Sequence, residues 1–154
     1  MHLVLCACVL VGAGGAWAAL GQAPTPGALV STSAKQGAPA QGGSKDSAGL
    51  FTVYSVQLET GTVVQEYVNA SGTVFAVAWR GPVLPDLGEL LGAYFTSFKA
   101  QAELQRASGS RQAVLGVDAD GLVVRSGGRM RNFFGSAYAT GLVPAGLRIQ
   151  DVLP

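Results

Sequence analysis

Histidine and cysteine are almost missing from this sequence, and both occur only at its beginning. The single histidine is His2, and the two cysteines are Cys6 and Cys8. Beyond these positions the chain has no imidazole and no thiol. A Ser-His-Asp triad, a cysteine nucleophile and a zinc site of the usual ligands all need such groups. We therefore expect a protein that is not an enzyme and that binds no metal or other cofactor.

Charged residues are also scarce, and their signs nearly cancel. Ten lysines and arginines face nine aspartates and glutamates, which leaves a net charge of +1. A protein that coats nucleic acid needs a clear basic excess for its phosphate contacts. The sequence has neither a dinucleotide-binding glycine fingerprint nor a phosphate-binding loop. Nucleic acid is therefore not expected as a partner.

The longest apolar stretch lies at the amino terminus. Residues 3–20 carry no charge and include Ala16-Trp17-Ala18, the small-x-small pattern that a signal peptidase accepts. We interpret residues 1–19 as a signal peptide, which predicts a protein exported to the periplasm or the medium with no transmembrane anchor after cleavage. A retained membrane anchor is the alternative, because the stretch approaches the roughly 20 residues that span a bilayer. Export without disulfides favours a bacterial setting.

The remaining chain has two parts that differ in amino-acid composition. Residues 20–49 consist almost entirely of alanine, glycine, proline, serine and other small or polar residues, with no aromatic side chain. Such a segment buries too little apolar surface to offset its ordering entropy, which predicts a disordered linker. Residues 50–154 alternate hydrophobic runs with turn residues and are expected to form one domain.

Valine-rich and aromatic runs predict the strands of this domain. Residues 51–58, 62–69 and 73–80 are joined by short links that contain glycine, which is typical of an antiparallel meander. The third run is apolar at both alternating positions, so we expect it to be covered on both faces. Further strands are predicted at 111–117, 122–126 and within 129–138. Turns are predicted between them at 118–121 and at Gly127 and Gly128.

A helical pattern separates the two groups of strands. Asp86 stands at an N-cap position, and apolar residues then recur at three- and four-residue spacing from Leu87 to about Gln105. Gly88 and Gly92 lie at one edge of this apolar stripe. Their pairing indicates close packing on the sheet, with a partner-binding groove as the alternative. The predicted fold class is α+β, an antiparallel sheet of about six or seven strands with one long amphipathic helix packed on it.

Two acidic residues lie within one of the predicted turns. Asp118 and Asp120 could belong to a partial calcium loop or to an acid/base pair for glycoside cleavage. A calcium loop needs a bidentate glutamate downstream, and the chain continues instead with Leu122-Val123-Val124. We therefore favour a plain hairpin turn.

A second cluster combines arginines with aromatic residues. Arg125, Arg129, Arg131 and Phe133 stand near a glycine pair, and arginine forks beside backbone N–H groups can hold phosphate or carboxylate. In an extended chain, Arg129, Arg131 and Phe133 would share one face. A charged outer sheet face is the alternative reading, but it does not account for the phenylalanine. These four residues are the candidate anion- or partner-binding site.

Four stretches resemble a family of exported bacterial proteins known as domain of unknown function 2844. They are GTVVQEYV at 61–68, VFAVAWRGPVLPDLGELLG at 74–92, VVRSGGRMRNFFGSAY at 123–138 and LVPAG at 142–146. The glycine-proline-x-x-proline-aspartate step is among the more distinctive. The resemblance implies an exported bacterial protein of no established activity, and it supplies no catalytic residue.

The favoured hypothesis is a non-catalytic exported module that binds an envelope component or a protein. One alternative is a carboxylate-dependent hydrolase of envelope polysaccharide, which needs two acids facing each other across a cleft. The other is a structural β-module that self-associates through its edge strands.

Overall fold

Seven antiparallel strands form one sheet in the part of the chain that the computed structural model describes, residues 19–31, 50–108 and 114–153. Their spatial order is β1-β2-β3-β4-β7-β6-β5. The strands are β1 Leu29–Ser31, β2 Phe51–Gln57, β3 Val63–Asn69, β4 Val74–Gly81, β5 Val114–Ala119, β6 Leu122–Arg129 and β7 Asn132–Ala139. Together with the helices between β4 and β5, they confirm the predicted α+β class.

The predicted meander is β2, β3 and β4. Each strand pairs with the next in antiparallel register, from Phe51 opposite Asn69 to Val63 opposite Arg80. The third run, which is apolar at both alternating positions, forms the central strand β4. Every residue of β4 from Val74 to Trp79 is buried, as expected. Its neighbour on the other side is β7, which comes more than fifty residues later in the chain.

The helical region begins as expected but is not one continuous helix. The Asp86 carboxylate accepts hydrogen bonds from the backbone N–H groups of Gly88 and Glu89, so it caps α1, Leu87–Leu91. A 3₁₀ turn at Gly92–Tyr94 then leads into α2, Phe95–Ala107. The interruption falls at Gly92, whose φ of 52° is outside the helical range.

The amino-terminal segment explains the break at Gly92. A Cβ atom on Gly92 would lie 2.7 Å from the Cβ of Ala19, so only glycine lets this segment approach. The predicted packing of both glycines on the sheet is wrong: a Cβ atom on Gly88 would meet only the helix cap Asp86 at 3.0 Å and the ring of Phe95 at 3.7 Å. At Gly92 the closest neighbour is Ala19 and not the sheet.

Residues 20–31 are therefore ordered, in contrast to the linker predicted for 20–49. Leu20 is only 1% exposed and belongs to the core under the helices. Its backbone N–H donates to Leu90, while Gly21 and Gln22 exchange backbone hydrogen bonds with Val74. The chain then reaches β1, which pairs with β2. The sequence misleads here because one well-placed leucine and backbone hydrogen bonds hold a segment whose composition is otherwise typical of disorder. Residues 32–49, and residues 1–18 of the predicted signal peptide 1–19, lie outside the described residues.

The two faces of the sheet are covered differently. The helices and the amino-terminal segment cover one face, over a core that includes Val77, Trp79 and Leu91. On the second face, the carboxyl-terminal residues 142–153 pack over an aromatic cluster of Phe51, Tyr67 and Phe75. This cover lies over β2, β3 and β4, and on the same face it leaves Arg125 and Arg129 of β6 and Phe134 of β7 exposed. Among the described residues, no helix has the length and apolar character needed to cross a membrane.

Candidate functional site

The four residues that the sequence singled out lie close together but do not share one face. Arg125 and Arg129 are on the second face of β6, the face away from the helices. Arg131 is in the turn that follows, and Phe133 is on the helix-bearing face of β7. The predicted grouping of Phe133 with the arginines is therefore wrong.

The error comes from the position of the turn. Gly127 and Gly128 stay within β6, and the chain reverses at Met130 and Arg131 instead, with Arg129 opposite Asn132. Side chains alternate along a strand, so a displaced turn changes which residues of the returning strand share a face with the arginines. Arg131 takes the left-handed φ of 64° that this tight turn requires.

Neither glycine of the pair makes the reversal, and Gly128 serves close strand packing. A Cβ atom on Gly128 would lie 2.7 Å from the carbonyl oxygen of Asn132 and 2.8 Å from the Cα of Phe133. Because Gly128 has no side chain, β6 and β7 can approach each other closely next to the turn. Glycine inside a strand is a known sign of such an approach.

The structure brings a different aromatic residue and a further arginine to the same face. Phe134 is directly opposite Arg80 of β4 on one side and Gly127 of β6 on the other. Arg125 and Arg129 stand two positions before and after Gly127, which makes them diagonal neighbours of Phe134 at roughly 7–8 Å. We call Arg80, Arg125, Arg129 and Phe134 the arginine face.

The arginine face is open to solvent and carries uncompensated charge. All three arginines are exposed, and Phe134 is 43% exposed. No other described residue forms an ion pair or hydrogen bond with their guanidinium groups. Ser136 is directly opposite Arg125, and Ala78 lies beyond it on β4; both are buried beside the face. Each guanidinium can therefore offer its planar set of N–H donors to an incoming oxyanion.

The acidic pair at the β5–β6 hairpin is a turn, as favoured. Asp120 and Gly121 both have positive φ, 51° and 74°, and the flanking residues Ala119 and Leu122 pair directly. This is the backbone of a two-residue hairpin loop. Asp118 and Asp120 are both exposed. Among the described residues, no three acidic, histidine or cysteine side chains come together as a metal site would need.

A small apolar hollow lies beside the start of α1. Leu58, Val64, Pro85 and Leu90 line it together with two acids, Asp86 and Glu89. Both acids belong to the same helical turn, and Asp86 is already the helix cap. Glycoside cleavage needs carboxyl groups on opposite sides of the scissile bond, and this pair does not have that arrangement.

Two buried polar groups lie under the helix-bearing face. Glu66 is 1% exposed, and its carboxyl oxygens accept hydrogen bonds from Thr25. The indole N–H of Trp79 is buried with no hydrogen-bond partner among the described residues. Glu66 thus joins the amino-terminal segment to the sheet, which is a structural role.

Sequence reasoning missed Arg80 and Phe134 for an identifiable reason. Arg80 ends a strand whose other side chains are buried, and this isolated charge is the only local signal. Its place beside Phe134 depends on the pairing of β4 with β7, and no local pattern reports that pairing.

Residues 16–152 match a family described as "Protein of unknown function (DUF2844)". The chain belongs to the DUF2844 family. No curated protein and no solved structure matches it. The matched range includes the docked segment at 19–31, so in DUF2844 that segment falls within the family's domain.

Proposed function

We propose that this DUF2844 protein is an exported, non-catalytic module that binds an anionic component of the cell envelope through the arginine face. The observation that carries the proposal is the open half of the second sheet face. There, Arg80, Arg125 and Arg129 surround the exposed ring of Phe134, and no carboxylate within residues 19–31, 50–108 and 114–153 pairs with them. The alternative to a binding site is a solvated outer sheet face of mixed charge. That alternative does not account for three arginines around a phenylalanine.

The spacing of the arginines suits a ligand with more than one negative group. Arg125 and Arg129 are four residues apart on one strand, which separates their Cα atoms by about 13 Å. Arg80 approaches from β4, on the far side of Phe134. Guanidinium forks bind phosphate and carboxylate oxygens in pairs, and the ring supplies apolar contact between them.

Export is supported by the leader pattern together with the docked segment. The predicted signal peptide ends at residue 19; cleavage one residue earlier, after Ala18, would make Ala19 the first residue, directly before the buried Leu20. The mature chain would then begin at the point where it enters the fold. Amino-terminal sequencing of the protein from its native host tests this: a product that begins at or next to Ala19 supports export, and one that still begins with Met1-His2 contradicts it.

The binding experiment compares two variants that lose the same charge. Arg125→Ala/Arg129→Ala removes two positive charges from the arginine face. Lys99→Ala/Arg106→Ala removes two from exposed positions on α2. Retention on immobilised dextran sulfate is measured against uncharged dextran over a salt gradient.

We expect the wild type and the α2 variant to elute at similar salt, and the arginine-face variant to lose at least about tenfold in affinity. Equal losses in both variants would show that net charge alone drives retention, which contradicts a specific face. No retention of the wild type at physiological salt would also contradict the proposal.

A further inference from the structure

The hairpin between β6 and β7 ends in an exposed apolar side chain between two arginines. Met130 and Arg131 form its two-residue turn, and Arg129 pairs with Asn132 at its base. Met130 is 91% exposed, more than any other large apolar side chain that the structure describes. Both arginines are exposed too, and neither forms an ion pair with another described residue. We call Arg129, Met130 and Arg131 the hairpin tip.

The hollow beside α1 has the opposite charge at its rim. Its wall is apolar, and the carboxylates of Asp86 and Glu89 lie at its edge; the wall consists of Leu58, Val64, Pro85 and Leu90. Both acids are exposed, and so is Glu59, the residue after Leu58. None of the residues that line the hollow is basic. The rim would therefore attract a cationic group and repel an anionic one.

Arg80 does not neutralise this rim, although it lies at the same end of the sheet. It is directly opposite Val63, and Val64 is the next residue of β3. Side chains alternate along a strand, so Arg80 shares the second face with Val63, whereas Val64 lines the hollow on the helix-bearing face. Arginines and acids at this end are thus on different faces.

The hollow suits a single side chain. It contains about 240 Å³ of space, open solvent included, whereas small-molecule pockets usually have roughly 300–1,000 Å³. Its walls are held by hydrogen bonds: the Leu58 N–H donates to the Thr62 carbonyl oxygen at 2.8 Å, and the Thr62 hydroxyl donates to the Val83 carbonyl oxygen at 2.6 Å. Because these loops are already fixed, docking costs little ordering entropy.

The hairpin tip and the hollow lie at the same end of the sheet, some distance apart. The tip extends past the end of β4, where Gly81 is opposite Phe133. The hollow lies beside the start of β3, with β4 and β7 between it and the hairpin. At the usual strand spacing this separates them by roughly 12 Å. A two-fold axis between them would bring the tip of each copy to the hollow of the other.

We infer that a second copy of this chain occupies the hollow, so that Met130 of each copy inserts into the hollow of the other in a symmetric dimer. Arg129 and Arg131 then face the acids of the rim, which are Glu59, Asp86 and Glu89. Methionine fills irregular apolar gaps because its side chain is unbranched and flexible. Methionine and arginine are both enriched in protein interfaces.

This inference goes beyond the proposed function and does not rest on it. Three members of the arginine face, Arg80, Arg125 and Phe134, lie on the second face of the sheet and stay outside the interface. An anionic envelope component explains neither the exposed Met130 nor the acidic rim. A second copy explains both, because it carries an apolar tip between arginines that matches an apolar hollow between acids.

Sedimentation equilibrium tests the inference on the protein as its host produces it, from micromolar to millimolar concentration. Met130→Asp places a carboxylate where it would enter the acid-rimmed hollow, and Met130→Leu keeps the apolar tip. Ala70→Asp is the matched control, because it adds the same charge in an exposed turn, between β3 and β4, at the opposite end of the sheet. Trp79 fluorescence checks the fold of each variant.

A second pair of variants tests the charge of the rim. Glu59→Lys/Glu89→Lys reverses two of its acids and leaves the helix cap Asp86 in place. Glu103→Lys/Asp151→Lys makes the same change in net charge at exposed positions that do not line the hollow.

We expect a wild-type dimer that forms reversibly as the concentration rises, and unchanged dimerisation of Met130→Leu and both controls. Met130→Asp and the rim variant should each raise the dissociation constant at least about tenfold. A wild type that is monomeric throughout would overturn the inference. A dimer that Met130→Asp does not weaken would also overturn it, since another surface must then form the contact. Equal weakening by Ala70→Asp would show that net charge alone controls association, and loss in Met130→Asp without loss in the rim variant would contradict docking in the hollow.

Discussion

Thr25 donates two hydrogen bonds to the buried carboxyl group of Glu66, forty-one positions later in the chain. Its backbone N–H lies 3.0 Å from one carboxyl oxygen, and its hydroxyl lies 2.5 Å from the other. Glu66 is only 1% exposed on β3, among the apolar residues under the amino-terminal segment. A buried carboxyl group without donors is strongly destabilising, so this segment makes the position tolerable.

Replacing Thr25 by alanine should lower the free energy of unfolding by about 1–3 kcal/mol, because one buried oxygen of Glu66 loses its hydroxyl donor. Thr60→Ala, in an exposed turn, is the control and should change stability by less than about 0.5 kcal/mol. Urea denaturation measures both. In a Glu66→Gln background the effect of Thr25→Ala should shrink; an unchanged effect would contradict the coupling between the two residues.

Leu20 and Leu29 provide a matched test of the docked amino-terminal segment. Leu20→Ala should destabilise the protein by about 2–5 kcal/mol, since it removes a fully buried side chain and leaves a cavity. Leu29→Ala removes a side chain that is 77% exposed and should have little effect. Guanidinium denaturation followed by circular dichroism distinguishes the two. Similar small effects of both variants would show that the segment is not part of the core in solution.

Gly135 should tolerate no side chain. An added Cβ would overlap the indole of Trp79 and lie 2.6 Å from the backbone oxygen of Arg125, which cannot move aside cheaply. Gly135→Ala should therefore lower the free energy of unfolding by about 3 kcal/mol, or shift the fluorescence emission of Trp79 because the ring is displaced. Gly116→Ala is the control, because its Cβ would meet nothing within 4 Å. If both variants unfold at the same urea concentration as the wild type, the packing of Trp79 on Gly135 is wrong.

Tyr67 should make the fold sensitive to alkali. Burial raises the pKa of its hydroxyl above the ordinary value of 10.0, because the charged form is poorly solvated inside the aromatic cluster. The folded state then holds this proton more tightly than the unfolded chain, so stability falls as the pH rises above about 10 and is unaffected below it. Tyr67→Phe should lose less stability than the wild type over this range. Urea denaturation at neutral and alkaline pH measures the free energy of unfolding of both proteins. If the wild type and Tyr67→Phe lose the same amount between the two pH values, the prediction is contradicted.

The strands and the start of the helix follow from local patterns. Valine-rich runs joined by glycine links gave the β2–β3–β4 meander within one or two residues at each end, and Asp86 marked the cap of α1. The turn at Asp120 and Gly121 followed from residues that accept positive φ. These features depend on near neighbours in the chain, which is why composition and spacing report them.

The amino-terminal segment shows where such reasoning stops. Its residues are small and polar, and composition predicts disorder for them. Order comes from Leu20, Thr25 and backbone hydrogen bonds to Leu90 and Val74, all of which are contacts with distant parts of the chain. The helix break at Gly92 has the same origin in Ala19.

By itself, the sequence determined which side-chain chemistry is present after residue 8, where the strands of the meander run, and that arginines and aromatic residues cluster near residue 130. Only the tertiary structure decided that Phe134, and not Phe133, joins the arginines, and that Arg80 completes their face. The physical reason is that side chains alternate with a period of two, so the exact turn position sets the face, and the neighbour of a strand is chosen by long-range pairing that no local pattern encodes.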